Sequence, residues 1–108
     1  MKLLSSLEEI LLLAILSLAK NAYGVTIRQK VSKVTEKDWS IGAIYDPLYR
    51  LEQKGYVRSE LSDPVAARGG RAKRLFFVTP EGDNALREHH KVRNELNSGA
   101  SSIVLNES

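Results

Sequence analysis

The sequence predicts a mainly α fold carrying one small β-hairpin, an α+β protein of one domain. Three observations predict it. Apolar residues recur at helical spacing through the first half of the chain. Two short alternating runs then flank a basic segment with Pro64 and the pair Gly69-Gly70, and Thr79-Pro80 opens one more amphipathic stretch. At 108 residues there is room for one modest core, to which burial between two copies would add.

The elements follow in order. The first helix is expected over residues 6–20, with Leu7, Ile10, Leu11, Ala14, Ile15 and Leu18 on one stripe. Leu12, Leu13 and Leu16 cover much of the remaining surface. A helix apolar nearly all round must be covered on more than one side, here by its own core and by a second subunit. Glu8 and Glu9 stand where the apolar part of a leader peptide would begin, and the run is far short of a membrane span. It reads as a buried helix, with no membrane association. Asn21 is placed as cap of a second helix over 22–34, with Tyr23, Ile27, Val31 and Val34 facing inward.

Ser40 caps a third helix reaching Lys54, and Trp39 before it has hydrophobic-staple spacing to Ile44. Ile41, Ile44, Leu48 and Leu51 form the inward stripe, and Gly55 ends the helix. Strands are expected over 56–61 and 74–78, joined by a long basic tip. Thr79 and Pro80 then start a last helix running to 97. Leu86, His89, Val92 and Leu96 give it a narrow seam, closer to a coiled-coil stripe than to a core face. Residues 98–108 are expected to be a flexible tail.

Charge and composition narrow the function. The net charge is only +3, but residues 20–58 carry eight Lys/Arg against four Asp/Glu, and residues 64–74 carry four basic residues and no acid. Such a concentration is the footprint of a polyanion binder. There is no cysteine, which excludes disulfides and thiolate metal sites and suits a reducing compartment; the expected location is the cytoplasm. No phosphate-binding glycine loop and no paired carboxylates appear. The adjacent His89 and His90 point about 100° apart on a helix, so they make a poor metal pair. Neither an enzyme nor a bound cofactor is expected.

Three helices, a two-stranded hairpin and a final helix is the order of a winged helix-turn-helix with an added C-terminal dimerisation helix. Residues 1–79 would form the DNA-binding domain, 80–97 the dimerisation helix and 98–108 the tail. In that arrangement the third helix enters the major groove of double-stranded DNA. Gly42 and Ala43 let its start approach base edges, while Ser40, Tyr45, Tyr49, Arg50, Gln53 and Lys54 supply polar contacts. Tyr45 has a second reading, as a shield over the helix. Asp46, on the same face, either accepts from a cytosine or pairs with Arg50. In the wing, Arg68, Arg71, Lys73 and Arg74 suit phosphates, and Gly69 and Gly70 let the tip turn and approach closely. Leu12, Leu13 and Leu16 with Leu86, His89, Val92 and Leu96 are the expected interface of a homodimer. A winged helix that binds protein rather than DNA is the alternative.

The sequence resembles the PadR-like transcriptional regulators. Six stretches in register carry the resemblance: Leu7 to Ala14, Ala22-Tyr23-Gly24-Val25, Gly42-Ala43-Ile44-Tyr45, Leu51 to Val57, Gly69 to Arg74 and Thr79-Pro80-Glu81-Gly82. The resemblance implies a homodimeric repressor paired through its first and last helices, with a small-molecule effector pocket at that interface in some members. Two departures stand out. Many relatives place proline directly after the tyrosine matching Tyr45, whereas here Asp46 intervenes and proline is residue 47. The final helix is also short for the family.

Overall fold

Ser5 starts the first helix by a reciprocal bond. Its hydroxyl accepts from the Glu8 N–H at 3.1 Å, and the Glu8 carboxylate accepts from the Ser5 N–H at 2.8 Å. The computed structural model describes residues 3–62 and 72–100, in the order α1 (Ser6–Leu18), a single 3₁₀ turn (Ala19–Asn21), α2 (Gly24–Thr35), α3 (Ile41–Gln53), β1 (Val57–Leu61), β2 (Arg74–Val78) and α4 (Pro80–Ala100). The two strands are antiparallel, with Val57 opposite Val78 and Leu61 opposite Arg74. The mainly α fold with its hairpin is as the sequence predicts.

The core is drawn from every layer. Leu11, Leu12, Ile27, Val31, Ile44, Leu48, Leu51 and Phe76 are fully buried, with Leu86 of α4 closing one end. α1 packs on β2 and α3 on β1, with Phe76 of β2 in the core they share, and these contacts fix the helices to the sheet.

Several expectations shift. The 3₁₀ turn shortens α1, and α2 begins at Gly24 rather than at residue 22. Ala22 and Tyr23 are extended instead: the Ala22 carbonyl accepts from the Phe76 N–H at 2.8 Å, and Tyr23 pairs with Leu75. Asn21 is therefore not the cap; Tyr23 holds that position, and Thr26 ties its backbone by accepting from the Tyr23 N–H at 3.0 Å. Val34 and Ile41 are exposed rather than inward, because α2 runs past the core before it ends and α3 starts short of it. Pro47 lies inside α3 and is buried, and α3 continues to Gln53 although proline forgoes one helical bond.

Gly55, at φ +81°, turns the chain out of α3, and the Tyr56 N–H bonds the Leu51 carbonyl at 3.0 Å, which delays β1 to Val57. Thr79 caps α4, its hydroxyl accepting from the Gly82 N–H at 3.0 Å. Gly82 lies so close to the chain that a Cβ would overlap the Tyr56 carbonyl. α4 runs through Asn97, Ser98 and Gly99 to Ala100, so the boundary expected at 97 falls inside the helix. The rest of the expected tail, 101–108, lies outside the described residues.

Candidate nucleic-acid interface

The Ser40 hydroxyl accepts from the Ala43 N–H at 3.1 Å, which fixes the start of α3 and leaves its O–H free to donate. The inward stripe Ile44, Leu48 and Leu51 then turns Gly42, Ala43, Asp46, Tyr49, Arg50 and Gln53 outward, and all six are exposed. Space around Gly42 is open, with nothing within 4 Å of where a Cβ would stand. Asp46 and Arg50 form no ion pair with each other or with any other described residue. The side chain of Arg50 is exposed.

Two further residues predicted for DNA contact have partners within the chain. Tyr45 is half-buried, stacked on Tyr49 at 5.8 Å between ring centroids and tilted against Phe76 at 6.5 Å. The shielding reading is the one its surroundings support. The Lys54 ammonium is paired with the Glu8 carboxylate of α1 and so ties two helices together. Burial pushes the Glu8 carboxyl up, but the Lys54 ammonium and the Ser5 bonds outweigh that and hold it below its ordinary range.

The hairpin stands beside α3. Beyond the last strand pair, the Ser62 N–H bonds the Lys73 carbonyl at 2.7 Å and the Lys73 N–H bonds the Ser62 hydroxyl at 2.8 Å. The Lys73 ammonium lies 4.2 Å from the Tyr23 ring centroid, a cation–π seat that steers it toward the start of α2. Arg74 donates to the Ser59 hydroxyl at 3.0 Å, and Ser59 donates to the Glu52 carboxylate at 2.6 Å. That chain couples the wing to α3. Arg68, Gly69, Gly70 and Arg71 lie outside the described residues.

The predicted pairing residues divide. Leu12 is 0% exposed and belongs to the protomer's own core, a correction that follows from α1 being covered by α2 and α3 on that side. Leu86 is also buried within the chain. His89 is only 13% exposed and sits 3.6 Å from the Glu9 carboxylate of α1, which Arg93 reaches at 3.4 Å. It packs α4 against its own α1. Val92 is half-buried, while Leu13 at 51%, Leu16 at 49% and Leu96 at 68% remain exposed. Leu13 and Leu16 line a groove between α1 and α4 with Leu86, Arg87 and His90.

Sequence reasoning missed the Glu8–Lys54 tie, the Glu52–Ser59–Arg74 chain and the tight sites at Gly24 and Gly82. Ser5-x-x-Glu8 is a legible capping box. The others join residues far apart in sequence and leave no local signal.

No curated protein sequence matches this chain. Solved structures do. A PadR-like transcription factor from Bacteroides fragilis superimposes with a TM-score of 0.69 at 26% identity, over 87% of this chain and 85% of that one. A PadR family transcription regulator from Clostridium difficile R20291 gives 0.59 at 27% identity, over 87% and 98%. A transcriptional regulator from Clostridium thermocellum gives 0.67 at 18% identity, over 94% and 99%, a likeness of fold. The sequence also matches the family description itself across residues 12–88. With most of the chain matched, from the middle of α1 into α4, the protein belongs to the PadR-like family of transcriptional regulators.

Proposed function

We propose that the protein is a sequence-specific DNA-binding regulator, a repressor that acts in the cytoplasm as a homodimer on a palindromic operator. The observation that carries the reading is the outward face of α3. Gly42, Ala43, Tyr49, Arg50 and Gln53 are exposed together beside a hairpin bearing Lys73 and Arg74. In this reading α3 lies in the major groove. Gly42 and Ala43 admit the helix start, Arg50 makes paired bonds to a guanine, and Gln53 and Tyr49 take neighbouring groups. Lys73 and Arg74, with the predicted Arg68 and Arg71, hold phosphates and set register. Leu13, Leu16 and Leu96 are the surface a second copy would cover, placing two recognition helices about one helical turn of DNA apart. A small-molecule effector would act at the groove between α1 and α4.

The test is binding of the full chain to random duplex across a range of salt. Each phosphate neutralised contributes about −0.9 to the slope of log affinity against log salt, so several wing and helix cations should give a steep fall. Selection from a pool of randomised duplexes should then return a two-fold symmetric site. Absent binding, or binding indifferent to salt, overturns the reading in favour of a protein partner.

A further inference from the structure

Gly24 opens α2 with an ordinary negative φ, so its backbone does not require glycine. Space does. A Cβ at Gly24 would overlap the Tyr45 hydroxyl and Cζ and would stand 3.0 Å from Cε2. Gly24 is buried, and what covers it is the ring of Tyr45, reaching across from α3. The same ring is tilted on Phe76 of β2 and stacked, at an interplanar angle of 20°, on Tyr49 of the outward face. One side chain therefore touches the first turn of α2, the wing strand and an exposed residue of the recognition helix.

We infer that Tyr45 is a positioning residue for DNA recognition: seated on the bare backbone of Gly24, it sets the angle of α3 to α2 and the pose of Tyr49, without itself touching DNA. The inference rests on the DNA reading above. Its physical basis is that close-packed contacts transmit displacement. A ring lifted off Gly24 cannot keep both its seat on Phe76 and its stack on Tyr49. A recognition helix displaced by a fraction of an ångström loses paired base contacts, which demand aligned geometry, before it loses the looser phosphate contacts. The signature is a fall in preference for the selected duplex with little change on random duplex.

The experiment measures both affinities at fixed salt, for the full chain and four variants, using a duplex selected by the wild-type protein and a random duplex of equal length. Gly24→Ala should lower the selected-to-random ratio at least tenfold, with random-duplex affinity within about threefold. Tyr45→Phe keeps the ring and should hold the ratio within about threefold of wild type. Tyr45→Leu, which vacates the seat, should lower the ratio as Gly24→Ala does. The double variant Gly24→Ala/Tyr45→Leu should be no worse than Tyr45→Leu alone, since the clash has gone. If Gly24→Ala does not fold, as judged by circular dichroism, Tyr45→Leu and Tyr45→Phe carry the same comparison. A preserved ratio in Tyr45→Leu overturns the inference. So does a loss in Tyr45→Phe equal to that in Tyr45→Leu, which would put the hydroxyl on DNA. Failure of the wild-type protein to bind any duplex overturns the DNA reading itself, and this inference with it.

Discussion

Replacing Leu16 with aspartate should take the protein apart into single chains. Leu16 is 49% exposed on α1, beside Leu13 at 51%, and the proposed pairing covers both. Burying a whole leucine side chain contributes about 1.5–3 kcal/mol, so covering the exposed half of Leu16 contributes about 0.8–1.5 kcal/mol. In a two-fold interface the position occurs twice, which brings the loss to about 1.5–3 kcal/mol before any charge is counted. Each aspartate would also have to be desolvated or left in a gap, a further cost of the same sign. At about 1.4 kcal/mol per factor of ten, dissociation should become at least tenfold to a hundredfold easier. Sedimentation equilibrium at low micromolar concentration should find the wild type near twice the 12.0 kDa chain mass and Leu16→Asp near the single mass, with unchanged far-ultraviolet circular dichroism. A wild-type monomer, or a variant that pairs as well as the wild type, refutes the reasoning.

Arg50→Lys keeps the charge but loses the guanidinium fork, so affinity for random duplex should hold while the selected duplex loses roughly 1–3 kcal/mol, measured by competition between the two. Preference kept by lysine would make Arg50 a phosphate clamp. Gly82→Ala drives a Cβ into the Tyr56 carbonyl, a backbone atom that cannot swing aside, and should lower stability by roughly 1–3 kcal/mol in urea unfolding. Glu8 supplies a pH test. Its carboxyl lies below the ordinary 4.5 in the folded chain, so its contribution is fully present above that value and is lost as pH falls through the lowered one. Urea midpoints should therefore show the wild type ahead of Glu8→Gln near neutrality, with the gap closing in acid. A gap independent of pH would remove the charge of Glu8 from the account.

The order of elements was legible because helical and alternating periods differ and because Ser40, Gly55 and Thr79-Pro80 mark ends by local chemistry. What periodicity cannot say is where a core stops. Val34 continues the apolar stripe of α2 but lies beyond the packed layers, and Leu12 and Leu13 are indistinguishable on a helix apolar all round. Ala22 and Tyr23 were read as helix because pairing that involves two residues leaves no alternation to detect. On the candidate site, Gly42, Ala43, Tyr49, Arg50 and Gln53 were found by taking the face opposite the inward stripe, and the structure places them outward together. The partners of Tyr45 and Lys54 within the chain are not legible in the sequence, for one reason. Their surroundings are set by Gly24 and Glu8, which are distant in sequence.

The bond from Phe76 to the Ala22 carbonyl, with the Tyr23–Leu75 pair beside it, straps the wing strand to the entry of α2. The hairpin and the helix pair are thus joined by backbone as well as by side chains, so that in the proposed DNA reading they would move together as one reading head. In that reading, a signal arriving at α1 or α4 would act by swinging whole heads. In a paired molecule the regulated quantity would then be the distance between the two heads, matched or mismatched to the spacing of the two halves of the operator. Control of this kind leaves the base-reading chemistry untouched.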